Sequence, residues 1–204
     1  MIDVDFSPYQ GLIFDLDGTL IDSMPYHIQA WQQTAKEHGF SIEPEFICKR
    51  GGFSSRNIVL AMADAGHDVG DVSEFVRRKV ELYRSWINKV PLFPRAFDIL
   101  KTARERGAKI GIGTGTQRIN VVDILEIHHI SDMIDFIVSA DDVTRHKPDP
   151  QTYLELMEMM KLTAEKILVV EDGLPGIQAA AAASMDCLVV DNDKFIRLDR
   201  PQRS

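Results

Sequence analysis

A chain of 204 residues, 45% hydrophobic and 26% charged, has the length of one ordinary domain with a small insertion at most, and enough apolar material to bury a core. Its 31 acidic and 23 basic side chains give a net charge of −8, which argues against nucleic acid or an anionic membrane as partner, since both need a basic face. No apolar run approaches the ~18 residues of a membrane span, the acidic start Met1-Ile-Asp-Val-Asp-Phe is unlike a secretory signal or transit peptide, and two cysteines, Cys48 and Cys187, are too few for a disulfide framework.

In chain order, the first apolar run is Leu12-Ile13-Phe14, which ends at Asp15. From Met24 to Lys89 the periodicity is helical and no convincing strand occurs; the clearest helices run His27 to Glu37 and Ser73 to Trp86, with Arg56 to Ala65 between them. Gly39 and Gly66 read as C-terminal stops. Beyond Val90-Pro91, four more apolar runs follow: Lys109 to Gly113, ending at Thr114; Phe136 to Val138, ending at Ser139; Ile167 to Val170, ending at Glu171-Asp172; and Cys187 to Val190, ending at Asp191. Helical patterns alternate with them at Ala96 to Arg106, Ile119 to Glu126, Thr152 to Met160 and Gly176 to Ala183. Short runs apolar on both faces suit buried parallel strands, and their alternation with helices implies βαβ units. The expected fold is therefore α/β, a parallel-sheet core made of residues 1–23 and 90–204, interrupted by an all-helical cap at 24–89 with hinges near Ser23-Met24-Pro25 and Val90-Pro91. The alanines from Ala179 to Ala183 predict a helix packed closely on a flat surface. The polar, basic tail from Lys194 to Ser204 is expected to fray.

Ligands of open α/β sheets bind beyond the carboxyl ends of the strands. The residues closing these strands are Asp15, Thr114 and the pair Glu171-Asp172, so carboxylates and a hydroxyl converge on one rim. In Asp15-Leu16-Asp17-Gly18-Thr19 the two carboxylates fall on one side of an extended strand end, one able to hold a metal and attack, the other to move protons. Each motif has a plainer reading: an Asp-Gly turn, a solvated Lys147, a helix-capping Glu171-Asp172. The glycines around Thr114 do not complete a dinucleotide fingerprint, because Thr116 stands where a glycine is needed.

Taken together, Asp15-x-Asp17-Gly18-Thr19, Thr114, Lys147 in His146-Lys147-Pro148, and Glu171-Asp172 resemble the four ordered motifs of the haloacid dehalogenase superfamily. That resemblance implies a Rossmann-like core carrying the cap. It also implies a nucleophile at Asp15 and a general acid and base at Asp17, with Thr114 and Lys147 cradling the phosphate. Mg²⁺ is the implied cofactor, held by Asp15, Asp17 through its backbone carbonyl, and Asp172, with Glu171 in or beside that set. As the family is known, dehalogenases lack the second aspartate and P-type ATPases carry Thr there; Asp17 points to phosphoryl transfer.

The cap resembles the beta-phosphoglucomutase-like branch. Tyr26-His27 followed by Ala30-Trp31 matches its opening, and Arg56 after Gly51-Gly52-Phe53-Ser54-Ser55 matches its substrate-binding arginine. His27, Arg56, Gly115 and Thr116 are thus the expected substrate-binding residues. Departures exist. Arg84 and Ser85 follow Tyr83, where the mutase has a lysine nearby, and Thr116-Gln117-Arg118 replaces its Ser-Lys-Asn. Gly113-Thr114-Gly115-Thr116 is closer to the fructose-1-phosphate phosphatase relatives of the branch, and Arg95 stands where a glycine is common. The expectation is a Mg²⁺-dependent phosphatase of a small phosphate ester, a sugar phosphate foremost, cytoplasmic and monomeric or weakly dimeric. A phosphosugar mutase using the same nucleophile is the alternative.

Overall fold

The computed structural model describes residues 4–50 and 54–201, so the expectations for residues 1–3, for Gly51-Gly52-Phe53 and for 202–204 lie outside the described residues. The chain separates into two compact units, Met1–Asp22 with Pro91–Ser204, and Ser23–Val90. In chain order the elements are β1 (Gly11–Phe14), α1 (Met24–Glu37), α2 (Pro44–Cys48), α3 (Ser55–Asp64) and α4 (Val72–Trp86). There follow α5 (Pro94–Glu105), β2 (Lys109–Gly113), α6 (Arg118–Ile127), β3 (Phe136–Val138) and α7 (Gln151–Met160). The chain ends with β4 (Ile167–Glu171), α8 (Leu174–Ala182), β5 (Asp186–Asp191) and β6 (Lys194–Asp199). Among the described residues no helix is long and apolar enough to cross a membrane.

The first unit is built on one six-stranded sheet in the order β3-β2-β1-β4-β5-β6. The five strands expected from the apolar runs all form and pair parallel. β1 is buried along its whole length because helices cover both faces, which is why its sequence shows no polar alternation. On one face Ile13, Val169 and Cys187 of the sheet meet Tyr153, Leu156 and Met160 of α7 and Ala179 and Ala180 of α8. The small alanines allow α8 to lie close to the strands, as their run suggested. Cys187 is buried, and burial pushes its thiol pKa up; Cys48 is exposed.

The tail corrects an expectation. Residues Lys194–Asp199 do not fray but form β6, antiparallel to β5. Asn192 and Asp193 both take positive φ, 45° and 60°, the twist a tight hairpin needs. The Asp193 carboxylate then accepts from the backbone N–H groups of Arg95 and Ala96 (3.0 and 3.1 Å), satisfying orphan donors at the start of α5. That contact gives position 95 a structural role through its backbone, while the Arg95 guanidinium lies 5.8 Å from the Phe195 ring.

The second unit is helical among the described residues. α3 is capped by Ser54, which accepts from Asn57 N, and α4 by Asp71, which accepts from Glu74 N. Gly39 and Gly66 follow α1 and α3 at φ 84° and 91°, a left-handed stop that a Cβ would resist. Trp31, Ala35, Ile58, Met62 and Phe75 form its core. The short α2, begun by Pro44, was not legible as a separate helix.

Candidate active site

The strand order reverses between β1 and β4, the two central neighbours, and Asp15 and Asp172 follow the carboxyl ends of these strands. Such a switch point opens a crevice at the strand ends. Pairing of Phe14 with Val170 and the bond from Asp15 N to Val170 O (3.0 Å) fix the two ends in register. Gly18 makes the sharp turn after Asp15 possible on two counts. Its φ is +85°, and a Cβ there would stand 2.3 Å from Asp172 Oδ2. Thr19 then donates to Asp172 Oδ1 at 2.6 Å.

Asp15, Glu171 and Asp172 can each present an oxygen within 4.8 Å of the others. Lys147 is drawn in among them: Nζ donates to Asp15 Oδ1 (2.7 Å), Glu171 Oε1 (2.7 Å) and the Gly113 carbonyl (2.9 Å). The reading of Lys147 as a solvated surface group is thereby corrected, for its side chain is only 12% exposed. Burial alone would lower its pKa, but Asp15, Tyr153 and Glu171 outweigh that and hold the ammonium charged. Burial and the neighbouring carboxylates push Asp15 well above the usual range, against the opposing pull of Lys147. Burial likewise raises Asp172 to about 6, partly offset by the Thr19 hydroxyl. Three carboxylates gather beside a single ammonium, Lys147, so the cluster is short of positive charge once they ionise. Hard oxygen donors with a charge deficit of this kind fit a small divalent cation such as Mg²⁺.

Glu171 is the exception within the trio. Its Oε1 accepts from Lys147 and from Tyr153 Oη, and its Oε2 from Gly173 N at 2.7 Å. With three donors already on it, this carboxylate is better placed to orient Lys147 than to hold a cation. It does not cap the following helix, whose N-cap is Gly173 with no side-chain cap bond.

The loop after β2 completes this wall. Thr114, 2% exposed, bonds through its N–H to Val138 O (3.0 Å), and its hydroxyl accepts from Thr116 N at 3.1 Å. Gly115 is exposed, with nothing within 4 Å of where a Cβ would stand. The Thr116 hydroxyl donates to Asp17 Oδ2, tying the second aspartate to the loop. Gln117 precedes α6, and Arg118 is committed elsewhere, its guanidinium donating to Ile137 O (2.9 Å) and Asp142 (2.7 Å).

The remaining expected residues lie in the second unit. His27, on α1, stacks on Tyr83 with ring centroids 3.9 Å apart, and its Nδ1 accepts from Lys79 Nζ at 3.0 Å. Arg56 is exposed on α3. A buried lysine not singled out in the sequence stands one helical turn before Tyr83: Lys79 is 6% exposed, among Trp31, Tyr83 and His27. Its four-residue spacing from Tyr83 on an amphipathic helix was the available signal. Tyr153 and Thr19 were also missed, since nothing local in the sequence announces their partners.

The model of the haloacid dehalogenase-like hydrolases matches residues 12–190. A Haemophilus influenzae protein is 35% identical over 199 residues, 96% of this chain and 98% of that one. Fructose-1-phosphate phosphatase YqaB of Escherichia coli is 31% identical over 186 residues, 91% of this chain and 98% of that one. The crystal structure of beta-phosphoglucomutase from Clostridium difficile superposes with a TM-score of 0.76 at 25% identity, covering 89% of this chain and 84% of that one. The motif order, the strand-end geometry and a match spanning most of the sequence agree, and the chain belongs to the haloacid dehalogenase-like hydrolase family.

Proposed function

We propose that this protein is a phosphatase of small phosphate monoesters, sugar phosphates foremost, that transfers the phosphoryl group to Asp15. The observation that carries the reading is the convergence of Asp15, Lys147 and Asp172 at the β1/β4 rim. Asp15 attacks phosphorus and forms an acyl phosphate as the bond to the leaving alcohol breaks. Asp17 gives that alcohol its proton. Asp17 then takes a proton from the water that hydrolyses the acyl phosphate, releasing inorganic phosphate and restoring Asp15. Lys147 and the Thr114 hydroxyl, with backbone N–H groups of the loop, hold the phosphoryl oxygens. The carboxylates of Asp15 and Asp172, with the backbone carbonyl of Asp17, would hold Mg²⁺. When bound, that ion offsets charge on the phosphoryl group. His27, Arg56 and Lys79 are the candidates for gripping the rest of the substrate.

The mutase reading draws support from the helical unit, where Lys79 stands near Tyr83 and bonds to His27. A mutase must also hold a second phosphate, and the loop after β2 offers uncharged Gln117 and an Arg118 already bound to Asp142. Hydrolysis is therefore favoured. The free buried thiol of Cys187 suits a reducing cytoplasm. The groups named come from one chain, so a monomer or weak homodimer suffices.

A phosphate-release screen over sugar phosphates, nucleotides and phosphoglycolate, with Mg²⁺ and with chelator, tests the reading. Release that needs the cation is expected; full activity after exhaustive chelation contradicts the metal assignment. With beta-glucose 1-phosphate, free phosphate is expected, whereas glucose 6-phosphate would establish the mutase.

A further inference from the structure

Beside Lys147 and Glu171 stands a third group that the phosphoryl chemistry does not itself require. Tyr153, on α7, is fully buried; its hydroxyl donates to Glu171 Oε1 at 3.1 Å, and Lys147 Nζ lies 4.9 Å from the centre of its ring. Phenylalanine would fill the same volume without bringing a hydroxyl that must find a partner inside the protein. Glu171 is confined from the other side as well: a Cβ at Gly176 would stand 1.5 Å from its Oε1, so the carboxylate occupies the space that a bare glycine leaves. Lys147 ends a long flexible side chain, and its ammonium is fixed only as well as its acceptors are fixed.

We propose that Tyr153 is a positioning residue for phosphoryl transfer: it pins the Glu171 carboxylate and, through that carboxylate and its own ring face, sets the Lys147 ammonium against Asp15. The inference rests on the phosphatase reading and adds to it the group that orders its lysine. Without the hydroxyl, Glu171 can rotate and Lys147 follows. Because Lys147 faces more charge in the transition state than in the bound ester, the loss falls on kcat rather than KM.

The test compares the full chain, Tyr153→Phe, Glu171→Gln and the double variant, on p-nitrophenyl phosphate at saturating Mg²⁺. Tyr153→Phe is expected to lower kcat about tenfold with KM within about twofold, the usual scale for a group that orients a ligand or catalytic side chain. In the Glu171→Gln background the same change is expected to alter kcat less than about twofold, since the amide keeps an oxygen for the Tyr153 hydroxyl but no longer carries the charge through which that hydroxyl acts on Lys147. An unchanged kcat in Tyr153→Phe, or an equal loss on both backgrounds, overturns the proposal. If the wild-type chain releases no phosphate from any ester, the phosphatase reading fails instead, and so it does if Asp15→Asn keeps near-native turnover. The positioning itself is read independently, and in the case of an inactive Glu171→Gln, from the ¹⁵N-detected ammonium resonance of Lys147. That signal is expected in the wild type and lost or broadened in Tyr153→Phe; persistence in the variant refutes the link.

Discussion

Asp172 carries a cost that its proposed role as a cation ligand explains. Its carboxyl, raised to about 6 chiefly by burial, is happier protonated in the folded chain than in the unfolded one. The cost is absent below the unfolded value of 3.8, appears as pH rises through the interval up to about 6, and is complete above it. A cation that binds the ionised form relieves this cost, so Mg²⁺ is expected to raise Tm clearly at about pH 8 and little at about pH 5. Equal protection at both values in a thermal melt would contradict the assignment. Asp172→Asn keeps an oxygen for the Thr19 hydroxyl while removing the charge. It should stabilise the metal-free protein by ~1 kcal/mol, about 2–4 °C in Tm, and abolish turnover. Thr116, expected from the sequence to bind substrate, donates its hydroxyl to Asp17. Thr116→Val should slow alkyl phosphates about tenfold, p-nitrophenyl phosphate much less, and Thr116→Ser should restore the rate, because only a poor leaving group needs the proton from Asp17. Asp15, Lys147 and Asp172 were legible because their motifs sit at strand ends or beside a proline. Tyr153 and Lys79 were not, because their meaning lies in partners 18 and 52 positions away.

At the level of elements, runs apolar on both faces identified the five parallel strands, since burial on two sides erases polar alternation. β6 escaped the same test because it is an edge strand with most of its residues exposed or half-exposed. The only local signal was Asn192-Asp193, a pair that tolerates the positive φ of a hairpin turn. This turn reaches back to α5, where Asp193 holds the N–H groups of Arg95 and Ala96. Asp193→Ala should therefore cost about 1 kcal/mol by chemical denaturation, the loss of a helix cap, although it lies 98 positions from Arg95. A change within error would mean that the hairpin turn does not hold the start of α5.

Across the whole molecule, the chemistry depends on chain segments that meet only when the sheet is assembled. The ends of β1, β2 and β4 and the loop before α7 contribute to one rim, and the helical unit Ser23–Val90 is inserted between the first and second of these strands. The overall charge of −8 makes the rim an unwelcoming place for a phosphate dianion unless Lys147 and a divalent ion offset it. Fold class and the strand-end cluster of Asp15, Lys147, Glu171 and Asp172 were readable from ordered motifs, whereas no spacing in the helical unit names a substrate. The account stands or falls on where the phosphoryl group goes. Acid quenching during turnover of a phosphate ester, followed by peptide mass spectrometry, should find one phosphate on the peptide containing Asp15 in the wild type and none in Asp15→Asn. A covalent phosphate on another residue, or one still trapped in Asp15→Asn, would contradict it.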